Sequence, residues 1–207
     1  MDIHFANGTA ISDADTKLLR FMRSEYELYD AVSVQQDSTL TLFDILLSIM
    51  MNSRLDTASK VQSIWRSKGP VEQALAAVPA HVALEDGNVP WEAVTALFDR
   101  FCEIKYAGAA VATKILHKKR PRLIPIFDSV ISACISRCAD LVPPARASEG
   151  ERLVCGMKSF RNMLIGCVDS IRRLLLEPEV RTYSLSPVRA LEVLLWIENE
   201  PNGYYAG

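Results

Sequence analysis

Between Lys105 and Phe127 the chain carries six Lys or Arg residues and no acid: Lys105, Lys114, Lys118, Lys119, Arg120 and Arg122, with His117 among them. The first acid after this run is Asp128, and it is the only one between Glu103 and Asp140. Clustered cations can hold phosphate oxygens, and an isolated carboxylate beside them can stabilise a developing cation or deprotonate a water. The same residues have an ordinary reading too. A basic run is a common solvated surface, and Asp128, just ahead of Ser129-Val130-Ile131, stands where a helix N-cap stands. The chemistry therefore depends on the elements that carry these side chains.

Around the basic run the pattern predicts a helix through Trp91, Val94, Leu97, Phe98 and Phe101, started at Pro90, then a tight turn containing Gly108 and a second helix. The start of that second helix would present backbone N–H groups to a phosphate, with the Lys and Arg side chains just beyond. Arg120-Pro121 and Ile124-Pro125 predict extended backbone, and Asp128 then precedes an apolar helix from Val130 to Cys138.

The flanking chain is also helical in pattern. Asn7-Gly8, set between short apolar runs, predicts a β-hairpin over 3–11 and the only β structure. Ser12 reads as the N-cap of a helix continuing through Leu18, Leu19, Met22, Tyr26 and Tyr29. From Thr41 to Met51 apolar residues surround almost the whole helical circumference, which predicts burial on most sides. Asn52-Ser53-Arg54 breaks this helix from an amphipathic one with Val61, Ile64 and Trp65, which stops near Gly69-Pro70. A short helix and irregular chain follow over 70–88, and a loop over 142–150. Leu153, Met157, Phe160, Leu164, Cys167, Ile171 and Leu174 then keep an unbroken helical spacing, and a last helix covers about 187–199. The fold class is all-α.

The 207 residues are 49% hydrophobic with a net charge of −2, so any polyanion contact must come from clustering rather than from overall charge. No stretch is long and apolar enough to span a bilayer, and the N-terminus has no signal-peptide pattern, so a cytoplasmic protein without a membrane partner is expected. Cys102, Cys134, Cys138, Cys155 and Cys167 read as reduced core thiols, and neither they nor His4, His81 and His117 have metal or iron–sulfur spacing. Of the aromatics, Trp65, Trp91, Phe127 and Trp196 read first as core residues, with pocket lining as the alternative for each.

The segment KYAGAAVATKILHKKRPRLIPIFDSVI resembles the helix-hairpin-helix and aspartate signature of the helix-hairpin-helix (HhH-GPD) DNA glycosylase superfamily. In the family pattern L-P-G-[VI]-G-x-x-T-A, Gly108 matches the first hairpin glycine and Thr113 the threonine, while Asp128 matches the catalytic aspartate with Leu123-Ile124-Pro125-Ile126 as its apolar lead-in. The run from Phe43 to Asp56 is similar to the family's opening helix, polar loop and helix, and Asn52, Ser53 and Arg54 match the loop that fills the hole left by a flipped base. The resemblance covers about residues 40–135. K-I-L-x-x-K-R-P-R-L-I-P with the downstream Leu194-Leu195-Trp196 also resembles an uncharacterised actinobacterial family related to these enzymes.

The resemblance implies a two-lobed helical fold in one domain over 1–207, with the helix-hairpin-helix catalytic region at 40–135 and the terminal helices forming the second lobe. It implies a monomeric enzyme without cofactor or metal that removes a damaged or modified base from double-stranded DNA, in repair or in defence against modified foreign DNA. Asp128 would be catalytic; Gly108, Ala110, Thr113, Lys114, Lys118, Lys119, Arg120 and Arg122 would contact DNA. Two departures qualify the match. Ala110 replaces the second hairpin glycine, and Ala112 stands where bifunctional members carry a nucleophilic lysine, with Lys114 about 200° further round the helix. A monofunctional glycosylase without lyase chemistry is therefore expected. The alternatives are a non-catalytic helix-hairpin-helix DNA-binding protein and a helical module whose basic cluster meets an acidic partner.

Overall fold

The computed structural model describes residues 1–5, 8–24, 26–138 and 141–200. Among these the chain is all-α apart from one small sheet. Strands β1 (Ile3–His4) and β2 (Ala10–Ile11) pair antiparallel, with Ile3 opposite Ile11 and His4 opposite Ala10. Gly8 has a φ of 84°, a left-handed conformation that glycine adopts without a side-chain penalty. Asn7, the other residue of the expected turn, lies outside the described residues.

Helix α1 (Ala14–Met22) has Asp13 rather than Ser12 at its N-cap position, without a side-chain capping bond, and ends before Tyr26; Tyr29 belongs to a separate short helix, α2 (Glu27–Ala31). Its buried stripe of Ala14, Leu18, Phe21 and Met22 is complete by that point. Helix α3 (Leu42–Leu47) starts at a capping box, in which Thr41 Oγ1 accepts from the Asp44 N–H and Asp44 Oδ2 accepts from the Thr41 N–H. It tightens into a 3₁₀ turn over Ser48–Met51. This element is not buried on most sides: Ile45 and Leu47 are covered, but Leu42, Phe43, Leu46, Ile49 and Met50 are all exposed.

Helices α4 (Ala58–Ser67) and α5 (Gly69–Ala76) divide at Gly69-Pro70, as the sequence suggests. After irregular chain come α6 (Trp91–Cys102), α7 (Ala109–Lys119) and α8 (Ser129–Cys138). The long α9 (Glu149–Leu174) buries every residue of the predicted stripe and packs along α6. Its first turn lies so close to α6 that a Cβ on Gly150 would fall 2.4 Å from the Thr95 carbonyl oxygen, and the Gly150 N–H donates to Asp99 Oδ1 at 2.8 Å. A single turn, α10 (Pro178–Arg181), leads to α11 (Pro187–Asn199), which packs on α1, α8 and α9. One buried apolar cluster runs from Ile3 to Ile197, joining terminal and central helices.

Four of the five thiols are wholly or partly covered, and burial pushes Cys102 and Cys167 up to about 12. Cys138 departs from the sequence reading and is exposed. No described helix is long and apolar enough to cross a membrane.

Candidate active site

A cavity of about 600 Å³ opens where five parts of the chain meet. The end of α1 and the start of α2 supply Phe21 and Tyr26. The end of the 3₁₀ turn supplies Met51, and the loop after it Asn52, Ser53 and Arg54. The turn before α7 and its first residues supply Tyr106, Gly108 and Ala110, with Lys114 one turn further on. Asp128 stands at the head of α8, and Glu192 and Trp196 come from α11.

Asp128 is both N-cap and cavity residue. Its Oδ1 accepts from the N–H groups of Val130 and Ile131, each at 2.9 Å. Oδ2 accepts from Trp196 Nε1 at 2.9 Å. Trp196 packs against the core with part of its surface but also fixes the carboxylate, and its ring meets Phe21 and Tyr26 edge-on to form an aromatic wall. Phe127 stays in the core against Phe160, Trp91 lies under Lys158, and Trp65 is exposed beneath Lys68.

The segment that delivers Asp128 is held by α7. Thr113 Oγ1 donates to the Ala109 carbonyl at 2.9 Å and accepts from the Phe127 N–H at 3.1 Å. One turn later His117 Nδ1 contacts the Ile124 carbonyl at 2.6 Å, which requires the proton on that nitrogen. Thr113 and His117, four residues apart on one helix face, thus clamp the extended run before Asp128. Thr113 is fully buried, so it positions the run before Asp128 and is not the surface contact expected of it.

Much of the supposed basic strip is internal. Lys119 is 1% exposed and pairs with Asp44 at 2.9 Å and Asp37 at 3.3 Å, also donating to the Gln35 carbonyl. Arg120 is 3% exposed and spends its donors on the carbonyls of Leu75, Gln36, Asp37, Val78 and Lys119. Lys118 donates to the Tyr29 carbonyl at 2.8 Å and lies over the Tyr29 ring. Contrary to the sequence expectation of phosphate contacts, Lys119 and Arg120 are internal ties whose donors are satisfied largely by chain distant in sequence, while the half-buried Lys118 commits one donor in the same way. Arg122 is exposed, as is Arg54 at the cavity.

The hairpin turn also differs in detail from the motif. Gly108 caps α7 with a φ of −67°, and Ala110 is helical, so the missing second glycine costs the backbone nothing. The left-handed residue here is Tyr106, with φ 72°, a strained setting for a bulky side chain. Its ring is exposed at the cavity, with Lys105 Nζ 4.8 Å from the ring centroid. Asn52 is left-handed too, with φ 53°, and its amide donates to the Tyr26 hydroxyl at 3.0 Å. Ser53 is 7% exposed and shares a hydrogen bond with Ser48. Of the three loop residues, Asn52 and Arg54 are exposed and Ser53 anchors the loop.

Beneath the cavity lies a buried ionic group. Arg189 donates to Asp30 at 2.7 and 2.9 Å and to Glu192, with the Phe21 and Tyr29 rings beside its guanidinium. Burial pushes the Glu192 carboxyl up to about 7 even though Arg189 pulls the other way. Burial likewise pushes His117 down to about 4, so the imidazole is neutral at pH 7. Glu192, Tyr26 and Tyr106 are cavity residues that the sequence pattern does not mark, while Trp196 takes the pocket role, the lesser of its two readings. Among the described residues no group of three or more His, Cys, Asp or Glu converges as a metal site.

These features define a helical protein with a carboxylate-bearing, aromatic-walled cavity. Over residues 11–199 the chain matches the model of a family of unknown function, DUF6308, and it belongs to that family. No curated protein and no solved structure matches it.

Proposed function

We propose that this protein is a monofunctional DNA glycosylase of the helix-hairpin-helix kind, which hydrolyses the N-glycosidic bond of a damaged or modified base flipped out of duplex DNA. The observation that carries this reading is the meeting of Asp128 with the 52–54 loop and the Gly108 turn at one cavity, although the three lie more than fifty residues apart at the extremes. Breaking the C1′–N bond develops positive charge at C1′. A fixed carboxylate stabilises that charge and orients or deprotonates the attacking water. Two hydrogen bonds to Oδ1 and one to Oδ2 hold Asp128 in place before any substrate arrives.

A cavity of about 600 Å³ with Phe21, Tyr26 and Trp196 along one wall has room for a flipped base and faces on which it can stack. Asn52 and Arg54 are the exposed residues available to enter the vacated stack. In this reading the N- and C-terminal helices form one lobe and residues 40–135 the other, with the cavity between them. Ala112 is fully buried, so no nucleophile comes from that position. Phosphate contact falls to the start of α7 and to exposed cations such as Arg54, Lys105 and Arg122, with a footprint smaller than the sequence count implies.

The test is alkali-labile cleavage across duplexes bearing damaged and naturally modified bases. Wild type should form abasic sites on at least one of them. Asp128→Asn should lower that rate by about 10²-fold or more while leaving duplex affinity within about twofold. Duplex binding with no abasic sites from wild type on any substrate would leave the non-catalytic DNA-binding reading instead.

A further inference from the structure

Lys114 is 6% exposed, lines the cavity, and its ammonium group makes no hydrogen bond or ion pair among the described residues. Every other buried cation of the region is spent: Lys119 on Asp44, Arg120 on five carbonyls, and Arg189 on Asp30 and Glu192. The side chain is covered but its ammonium is not among the buried unpartnered atoms, so it meets solvent at the cavity it lines, and a ligand that brings an acceptor there would supply the partner the chain does not. Only the Lys114 backbone is used by the fold, its carbonyl accepting from the Tyr29 hydroxyl at 2.7 Å.

We infer that the Lys114 ammonium takes up the negative charge of the departing base, and that the cavity accepts bases leaving as anions with charge on a ring carbonyl: uracil-like pyrimidines and 6-oxopurines. This rests on the glycosylase reading above. Cleavage of a neutral base separates two charges, positive on the sugar and negative on the base. Asp128 and Lys114 provide one group of each opposite sign in one cavity. The C1′–N electron pair passes to the base, a water oxygen bonds to C1′, and the water's proton goes to Asp128. The base anion accepts a hydrogen bond and then a proton from Lys114, and solvent carries the Asp128 proton back to the amine. The products are an abasic site and a neutral free base. Burial lowers the hold of Lys114 on its proton, against the opposing pull of Asp128 and Glu192, which favours this transfer. An N-alkylated cationic purine leaves neutral, gains nothing from the ammonium and is repelled by it.

The experiment measures single-turnover abasic-site formation on duplexes containing uracil, 5-fluorouracil, hypoxanthine or 7-methylguanine. Wild type, Lys114→Met and Lys114→Arg are compared. Wild type should act on the first three. Lys114→Met should lose about 10²- to 10³-fold on uracil and distinctly less on 5-fluorouracil, whose anion leaves more easily; Lys114→Arg should recover part of the loss. If Lys114→Met does not fold, Lys114→Arg must show the same dependence on leaving group. Equal rates for variant and wild type, or a loss independent of leaving group, overturn the inference. So does product from 7-methylguanine alone, or from none of the four, or a covalent DNA adduct through Lys114 trapped by borohydride. The glycosylase reading itself fails only when the wider duplex panel also gives no abasic sites.

Discussion

Lys119 and Lys114 lie five residues apart on α7, both largely covered, and they meet burial in opposite ways. Lys119 keeps its charge by acquiring Asp44, Asp37 and the Gln35 carbonyl. Lys114 keeps an ammonium that faces the cavity and has no partner of its own. Between them His117 takes a third course, giving up its charge, since burial holds its pKa near 4. The comparison separates fold from function within one basic run. A cation whose donors are all satisfied by the chain is part of the scaffold, while a donor left over at a cavity is available to a ligand.

The largest expected effect breaks the pair directly. Lys119→Met should cost about 3–5 kcal/mol of unfolding free energy by leaving Asp44 buried without its partner, whereas Lys114→Met should change stability by less than about 1 kcal/mol or raise it. Urea denaturation of both variants measures the gap. Similar losses in the two would mean that Lys114 is scaffold as well.

His117 supplies the next contrast, through pH. Its folded pKa lies below the unfolded value of 6.5, so its contribution is fully present above that pH. It is lost as pH falls through 6.5 toward about 4, and amounts to roughly 3 kcal/mol. Glu192 has the opposite sign: its folded pKa is raised, so stability is lost as pH rises from 4.5 through about 7. Denaturation curves for Glu192→Gln should therefore fall more steeply with acid than wild type, and those for His117→Phe should fall less. A wild-type slope unchanged in both variants would remove the assignment.

The smallest effect sharpens the comparison at the hairpin. A Cβ on Gly108 would meet nothing within 4 Å, and the backbone there is not left-handed. Gly108→Ala should leave the melting temperature within about 2 °C, corresponding to a surface change of under roughly 0.5 kcal/mol. Duplex affinity should nevertheless fall several-fold if DNA approaches that turn closely. Affinity equal to wild type would move the DNA contact away from Gly108.

Much of the architecture was legible because periodicity is a local property. The stripe from Leu153 to Leu174 is buried residue by residue in α9, Gly69-Pro70 divides two helices, and the N-terminal strands pair with Ile3 opposite Ile11. Asp128 could be selected as a lone acid before an apolar helix, and its capping role follows from position alone. Apart from the first helix, which starts after Asp13 and ends at Met22 rather than running on to Tyr29, the differences concern burial. The all-round apolar helix from Leu42 faces solvent because α4 and α7 cover only part of it. Lys119 and Arg120 are internal because Asp44, Leu75 and Val78, forty or more residues earlier, reach them through the fold.

The sequence by itself determined the helical class, the order of the elements and the identity of the one carboxylate standing apart from other acids. Those properties depend on side-chain spacing and local capping. Only the tertiary structure decided which cations of the basic run are consumed, that Trp196 holds Asp128, and that Lys114 opens into the same cavity. Burial and pairing depend on partners distant in sequence, and a charged side chain has no structural or chemical role until its acceptors are known.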